Sequence, residues 1–252
     1  MQFEVLTDIG KKRTVNEDSA AVYTLPDGTT LAVIADGMGG HNGGDFASST
    51  AVKVLGERFM EIDQSQLVRS EDCAKWLKES IVHVNKLLYD LATENEEYKG
   101  MGTTLDAALI QGTSCMISHI GDSRVYTICE DGMKQVTKDH SFVNVLLESG
   151  EITEEEAAVH PKRNWIMKAV GSEKLIEPDF YSISFKEGMI LLICTDGLSN
   201  KVDNPLIEDI VKSTATLSEK AKSLVDLANG LGGEDNISVI LIEPAGSEVN
   251  LP

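Results

Sequence analysis

Short hydrophobic runs that end in an aspartate recur along this chain. Residues 31–35 are all apolar, a length typical of a buried strand, and Asp36 and a glycine-rich turn follow them directly. Residues 190–194 repeat the pattern and lead to Asp196 and another glycine. An aspartate at the end of a buried strand, with flexible backbone behind it, predicts a carboxylate held at one edge of a sheet.

Two further aspartates occupy comparable positions. Asp122 lies beside a glycine within the strand-like segment 116–126, and Asp235 follows a glycine turn and precedes the apolar run 237–242. Carboxylates from four places in the chain can therefore converge at one sheet edge. Because buried carboxylates repel each other unless cations lie between them, the pattern favours a polynuclear metal site over unrelated strand-to-turn aspartates.

The remaining periodicity predicts strands and amphipathic helices in turn. The predicted elements are three strands within residues 1–35, helices around 47–59 and 77–91, strands over 100–140 and 172–195, helices over 205–215 and 218–229, and a last strand over 236–242. Ser218 is the predicted N-cap of the last helix, and Gly230 its end.

The segment 137–171 differs from its surroundings because it combines short helices with charged turns. A helix is predicted from Ser141 to Gly150, and a capping box at 153–156 opens another. The segment lies between two strands that carry candidate ligands. It is compatible with a flap over an active site or with an ordinary surface insertion.

Composition narrows the function classes. The chain has 252 residues, 42% of them hydrophobic, and shows no linker-like break, which predicts one domain. Its 22 basic and 41 acidic residues give a net charge of −19, which disfavours nucleic acid and anionic lipid as partners. The four cysteines show no C-x-x-C spacing, and no signal peptide or membrane-spanning run is present, so a cytoplasmic location is expected.

Three residues outside the aspartate pattern are candidates for chemistry. Arg13 and Asp18 can form a surface ion pair, or Arg13 can grip a phosphate while Asp18 orders water near the metals. His41 follows the Asp36 turn within a glycine-rich loop. It can serve as a general acid or be a solvated turn residue.

Taken together, the motifs resemble those of the metal-dependent serine/threonine protein phosphatases of type 2C, in their compact bacterial form. The resemblance covers essentially the whole chain and rests on Arg13-x-x-Asn16-x-Asp18, Asp36-Gly-Met-Gly-Gly-His41, Met101-Gly-Thr-Thr104, Gly121-Asp-Ser-Arg124, Thr195-Asp-Gly197 and Asp235-Asn236. It implies an α+β fold of four layers, α-β-β-α, with a central antiparallel β-sandwich and a metal cleft at one end.

The resemblance also implies a ligand set. Asp36 would bridge two metal ions, with the Gly37 carbonyl completing the shell of the first ion. Asp196 and Asp235 would bind the second, and Asp122 with Asp196 would hold a weaker third. The ions would be Mn²⁺ or Mg²⁺, which suit sites with few protein ligands and several waters.

The catalytic and substrate residues follow from the same resemblance. Arg13 would clamp the substrate phosphate, Asp18 would lie close behind the metal ligands, and His41 would protonate the leaving serine or threonine oxygen. Residues 1–245 would be a single catalytic domain, and 246–252 a C-terminal tail. The segment of about 141–171 would be a flap that touches the substrate through Ser141, Asn144 and Arg163.

The implied activity is hydrolysis of phosphoserine and phosphothreonine in proteins, by a metal-activated water that attacks phosphorus in line and without a covalent intermediate. The implied partners are phosphorylated proteins, among them a membrane-anchored serine/threonine kinase, and a monomer is expected. The alternative is a catalytically silent phosphoprotein-binding regulator of the same fold. A further alternative is an acidic cation-binding protein without chemistry, which Arg13 and His41 argue against.

Two residues depart from the family pattern. His119 stands where asparagine or alanine is more usual, and Asp106 where an apolar or small residue is typical. Both are polar residues within predicted strands, and we expect both to face solvent.

Overall fold

The computed structural model describes residues 1–39 and 43–244, apart from the side chain of Gln64. His41 and the predicted tail 246–252 lie outside the described residues. Within the described part of the chain, no helix is long and apolar enough to cross a membrane.

The described residues form antiparallel strands and helices in the predicted order. The strands are β1 (Gln2–Asp8), β2 (Asp18–Thr24), β3 (Thr30–Met38), β4 (Gly102–Thr103), β5 (Leu105–Gln111), β6 (Ser114–Ile120), β7 (Arg124–Cys129), β8 (Gly132–Gln135), β9 (Asp179–Ser184), β10 (Ile190–Cys194) and β11 (Ile237–Glu243). The helices are α1 (Gly44–Met60), α2 (Ser70–Glu94), α3 (Phe142–Ser149), α4 (Glu154–Ala158), α5 (Asp196–Ser199), α6 (Asn204–Lys212) and α7 (Leu217–Gly230).

Two sheets pack face to face. One has the strand order β1-β11-β10-β7-β8, and the other has the order β2-β3-β5-β6-β9, with the short β4 paired to β3. Apolar side chains such as Ile34, Ile117 and Ile240 fill the space between the sheets. The chain crosses between the sheets at the turn from β6 to β7, so this turn belongs to neither sheet and can reach both.

Helices cover the outer face of each sheet. α1 and α2 pack on the β3-containing sheet through residues such as Leu55 and Leu77. α6 and α7 pack on the other sheet through residues such as Ile207 and Leu224. The predicted four-layer α-β-β-α fold is confirmed. Strands covered on both faces read as continuous apolar runs, which explains why 31–35 and 190–194 show no alternation.

Helix ends were predicted less accurately than helix faces. The N-cap of α7 is Thr216 and not Ser218, because the Thr216 hydroxyl accepts the Glu219 N–H while the Glu219 carboxylate accepts the Thr216 N–H. In α3 the predicted ends hold, since Ser141 is the N-cap and Gly150 follows the helix in a left-handed conformation, with φ of 74°.

The predicted exposure of Asp106 and His119 is wrong. Both are fully buried, on neighbouring strands of one sheet where they stand directly opposite each other. Asp106 shares the face of Ala108 and Ile110, which points into the space between the sheets. Each polar group is buried because it is the hydrogen-bond partner of the other.

Candidate metal and phosphate site

Five aspartates approach one another at one end of the sandwich. Asp18 and Asp36 stand opposite each other on β2 and β3, Asp122 lies in the turn between β6 and β7, and Asp196 opens α5 directly after β10. Asp235 lies two residues before β11. Both sheets and the crossing turn therefore contribute to a single cluster of carboxylates.

The pKa values of these acids show how strongly the cluster disfavours negative charge. Burial, followed by the charges of Asp18, Asp196, Asp122 and Asp235, raises the pKa of Asp36 well above its usual range. Burial is also the largest cause for three of its neighbours. It raises the pKa of Asp18 to about 7, that of Asp122 to about 8 and that of Asp196 to about 6. A cation placed among these groups would remove this electrostatic strain.

Two carboxylate oxygens of the cluster are buried without a hydrogen-bond partner. They are Oδ1 of Asp18 and Oδ1 of Asp122. The second oxygen of Asp18 accepts a hydrogen bond from the Thr195 hydroxyl at 2.8 Å, which orients the carboxyl group. A buried carboxylate oxygen without a hydrogen-bond partner is a hard ligand, and hard divalent cations are the ions that such a ligand binds.

Among residues 1–39 and 43–244, the side chains as they stand include no group of three or more His, Cys, Asp or Glu that could hold a metal ion.

Gly37 allows the ligand strand to approach the start of α1. A Cβ atom at this position would lie 2.0 Å from the Gly44 carbonyl oxygen and 2.6 Å from that of Glu17. The Gly37 N–H donates to the Glu17 carbonyl at 3.0 Å. A side chain at Gly37 would therefore displace the strand that carries Asp36.

Hydroxyl and amide groups position the carboxylates, and the sequence reasoning assigned them no role. The Asp36 N–H donates to Oγ1 of Thr104 at 2.9 Å, and this hydroxyl lies 2.8 Å from that of Ser123, next to Asp122. Asn236 accepts from the Glu17 N–H and donates to the Ile9 and Val15 carbonyls. Thr104 and Asn236 both belong to motifs quoted above, so the signal that could have found them was present.

Arg13 lies at the rim of the cluster. Its guanidinium is 2.8 Å from Asp235 Oδ1 and 3.7 Å from Glu17 Oε2, and it is not paired with Asp18. The alternative of a surface ion pair between Arg13 and Asp18 is therefore wrong. Burial works against the charged guanidinium, but the carboxylates of Asp235, Glu17 and Asp36 together outweigh burial and raise the pKa of Arg13. A half-exposed arginine at the mouth of an acidic cluster can bind an anion that enters from solvent.

A cavity of about 670 Å³ adjoins the cluster on the side of α3 and α4. Asp122 lines it from the sandwich, and Ser141, Asn144 and Arg163 line it from the helical segment. A smaller cavity of about 100 Å³ places Arg163 with Asp196 and Asp235. The structure thus brings the predicted flap residues next to the candidate ligands.

The other cations of the larger cavity already have partners. Arg124 donates to both carboxylate oxygens of Asp139, at 2.7 and 3.0 Å, and Lys138 is paired with Glu148. Sequence reasoning missed Asp139 and Lys138, because nothing in their spacing links them to the aspartate pattern. Within the described residues, Arg13 and Arg163 are the basic side chains best placed to meet an anionic substrate.

Comparison with known proteins gives a consistent result. The sequence model of the family described as "Protein phosphatase 2C" matches residues 10–231. The serine/threonine phosphatase stp of Listeria innocua is 42% identical over 243 residues, which are 96% of this chain and 96% of that protein. The protein phosphatase PhpP of Streptococcus pneumoniae is 39% identical over 242 residues, with coverage of 96% and 97%.

Solved structures match over nearly the same length. The serine/threonine phosphatase of S. agalactiae superposes with a TM-score of 0.92 at 38% identity, covering 97% of this chain and 99% of that chain. The catalytic domain of the serine/threonine protein phosphatase PstP, in complex with two manganese ions, superposes with a TM-score of 0.82 at 32% identity, with coverage of 95% and 96%.

Proposed function

Because the chain belongs to the protein phosphatase 2C family, and is thus a serine/threonine protein phosphatase, we propose that its aspartate cluster is the metal centre of this activity. Asp36, Gly37, Asp196 and Asp235 would hold two ions of Mn²⁺ or Mg²⁺, and Asp122 with Asp196 a weaker third. When bound, these ions supply the Lewis acidity that activates water for in-line attack on phosphorus.

The single observation that carries this proposal is the convergence of five carboxylates, four of which (Asp18, Asp36, Asp122 and Asp196) have pKa values raised by burial and by the neighbouring negative charges. A catalytically silent binding protein would have no use for so unfavourable a cluster. The relatives named as phosphatases also favour catalysis over that alternative.

The remaining roles fall to residues around the cluster. Arg13 would bind the substrate phosphate once a metal ion replaces it as the partner of Asp235. Asp18, held by Thr195, would accept hydrogen bonds from ordered water. Ser141, Asn144 and Arg163 would contact the substrate from the flap, residues 141–171. For His41, proposed to protonate the leaving oxygen, the support is the sequence pattern alone.

Replacement of Asp36 tests the metal centre. We expect Asp36→Ala to lose at least about 100-fold in hydrolysis of a phosphothreonine peptide with Mn²⁺, since Asp36 is the candidate ligand that both ions would use. The matched control is Asp226→Ala, which removes a surface carboxylate paired with Lys222 on α7 and should keep wild-type activity. A loss of less than tenfold in Asp36→Ala would contradict the assignment.

We also propose a cellular setting. The substrates of a protein phosphatase are phosphoproteins; here they would include a membrane-anchored serine/threonine kinase that the enzyme opposes from the cytoplasm. The enzyme would act as a monomer with one catalytic domain, residues 1–245. A second arm of the same assay tests the substrate, with an autophosphorylated kinase domain in place of the peptide. Failure to remove its phosphate, while the peptide is hydrolysed, would refute the kinase as substrate and leave the metal centre intact.

A further inference from the structure

The buried pair of Asp106 and His119 has no role in the proposed chemistry. Asp106 Oδ1 lies 2.8 Å from Nδ1 of His119, and both side chains are fully buried. On the far side of the ring, Nε2 lies 2.8 Å from the Lys138 carbonyl oxygen. Both ring nitrogens thus face oxygen acceptors. Nε2 must carry a proton that it donates to Lys138, and a second proton must lie between His119 and Asp106.

Folding stability alone does not explain why Asp106 and His119 are buried as a pair. Two ionisable groups withdrawn from water are often no better for folding than apolar residues of the same size. What the pair provides is a directed hydrogen bond from His119, on β6, to the carbonyl oxygen of Lys138. Lys138 begins the segment that leads into α3 and α4.

His140 links the buried pair to the turn between β6 and β7. Its ring lies 4.6 Å from that of His119, centroid to centroid. Nδ1 of His140 accepts a hydrogen bond from the Gly121 N–H at 3.1 Å, and the His140 N–H donates to the Gly121 carbonyl at 2.7 Å. Gly121 immediately precedes Asp122. His140 therefore holds, from both sides, the residue next to a candidate ligand.

The turn at Gly121 cannot adjust easily. Its φ is 113°, which a residue with a side chain rarely adopts, and a Cβ there would lie 2.6 Å from Thr104. The Thr104 hydroxyl is itself bonded to the Asp36 N–H. Movement of His140 would be transmitted to a turn that is fixed against the metal-binding strand.

His140 also belongs to the neck of the flap, which we define as residues 140–142 and 165–167. The Met167 N–H donates to the His140 carbonyl at 2.7 Å, and the Phe142 N–H donates to the Trp165 carbonyl at 2.8 Å. Ser141 and Ile166 stand opposite each other between these bonds. The two segments of the neck, residues 140–142 and 165–167, are thus hydrogen-bonded to each other and, through His140, to Gly121.

We propose that Asp106, His119 and His140 form a strut that fixes the neck of the flap to the turn carrying Asp122, so that the flap cavity keeps its position over the metal centre. All three are positioning residues, since none lines the cavity or belongs to the candidate ligands. The proposal rests on the proposed function for the role of Asp122, but the attachment of the neck can be tested without activity.

The test compares three variants. His140→Ala removes the acceptor of the Gly121 N–H, and His140→Asn restores an acceptor at the position of Nδ1. His83→Ala is the matched control, because His83 is an exposed histidine on α2. The first measurement is tryptic cleavage after Lys162 and Arg163 in the flap, in protein treated with EDTA.

We expect His140→Ala to be cleaved in the flap about tenfold faster than the control and to need about tenfold more Mn²⁺ for half-maximal hydrolysis of the phosphothreonine peptide, the scale seen when residues supporting metal ligands are removed. Its kcat for p-nitrophenyl phosphate at saturating Mn²⁺ should stay within about threefold of wild type, because this small substrate lacks the peptide that would contact the flap. His140→Asn should restore both values.

Equal flap cleavage and equal Mn²⁺ requirement in His140→Ala and His83→Ala would overturn the strut. If His140→Ala does not fold, Asp106→Asn probes the other end of the strut, the contact with His119, with a residue of the same size. It should also speed flap cleavage, and unchanged cleavage would again overturn the proposal. A wild-type protein that hydrolyses no phosphopeptide would refute the proposed function, whereas the cleavage comparison would still decide on the strut.

Discussion

His140 is held in its neutral form by the groups around it. Its pKa is lowered to about 4, first by burial and then by the positive charges of His119 and Lys168, while Asp179 acts in the opposite direction. A neutral ring can accept the Gly121 N–H at Nδ1 and present Nε2 to the Asp179 carboxylate, 3.4 Å away. The protonation state and the hydrogen bonds therefore agree.

This lowered pKa predicts a loss of stability in mild acid. An unfolded histidine titrates near 6.5, so between pH 6.5 and 4 the side chain of His140 binds more protons in the unfolded state than in the folded state, and its contribution to the free energy of unfolding falls as the pH falls. From pH 7 to pH 5 we expect wild type to lose about 2 kcal/mol relative to His140→Asn, which cannot titrate. Urea unfolding of both proteins at both pH values measures this, and a constant difference would contradict it.

Single residues were predictable where one segment of sequence contains the reason for them. Asp36 and Asp196 each follow an apolar run, and that local pattern was enough to suggest a ligand. The burial of Asp106 depends on His119, which lies on the next strand and becomes its partner only through the register of β5 and β6. A polar residue in a strand was therefore assigned to solvent, since its buried partner could not be seen.

At the scale of elements, the contact of α5 with β11 depends on Gly197. The helix begins directly after β10, and a Cβ on Gly197 would lie 1.9 Å from the Asn236 carbonyl oxygen. No side chain fits in this space. The glycine lets the helix that carries Asp196 lie against the segment that carries Asp235, so the two ligands come together.

We therefore expect Gly197→Ala to destabilise the protein by about 1–3 kcal/mol, the usual effect of overpacking, and to lower phosphopeptide hydrolysis because Asn236 and Asp235 must move. Gly230→Ala is the control. It adds the same methyl group at the end of α7 with nothing within 4 Å, and it should be neutral or slightly stabilising. Thermal unfolding and activity of the two variants give the comparison. Equal Tm and equal activity in the two variants would show that α5 and the segment of Asn236 can move apart without loss of stability or activity, and would contradict this prediction.

Elements were predicted well where a hydrophobic face is long. The stripes of α1 and α2 and the apolar runs of β3 and β10 identified them directly, because burial imposes the periodicity. Ends were predicted less well. For α7 both Thr216 and Ser218 are suitable caps by type, and the reciprocal bonds with Glu219 decide in favour of Thr216. The interruption at Thr104 between β4 and β5 has no signal in the local sequence.

At the scale of the whole molecule, the metal-free protein should lose stability as the pH rises. Asp196, Asp18 and Asp122 have folded pKa values of about 6, 7 and 8, each raised first by burial. Unfolded aspartates titrate near 4, so the folded state binds more protons, and the stability present at low pH is lost as the pH rises through 6 to 8.

With EDTA, we expect the Tm at pH 8.5 to lie about 5 °C or more below that at pH 6. Mn²⁺ should raise the Tm more at pH 8.5 than at pH 6, because it replaces the protons that stabilise the cluster. Differential scanning calorimetry with and without Mn²⁺ measures both effects. The same Tm at both pH values in EDTA would mean that the carboxylates do not interact as described.

The arrangement of the whole molecule was predictable mainly through resemblance. Apolar runs and helical stripes alone indicate a mixed α and β protein, but they do not state which strands are neighbours. β1 lies beside β11 from the opposite end of the chain. Such pairings form because they bury both faces of each sheet at once. The information for them is spread over the whole chain and is not present in any single segment.

The pairing of β1 with β11 has a consequence for the making of this protein on the ribosome. β11, which lies between β1 and β10, is synthesised after both of these neighbours, and long after β1. The ligand segment around Asp235 immediately precedes it. A nascent chain thus carries Asp36 without Asp196 and Asp235, its candidate partners in the metal centre, until both of them have been synthesised. Phosphatase activity therefore requires that β11 has been made, and we expect a product truncated before β11 to be inactive.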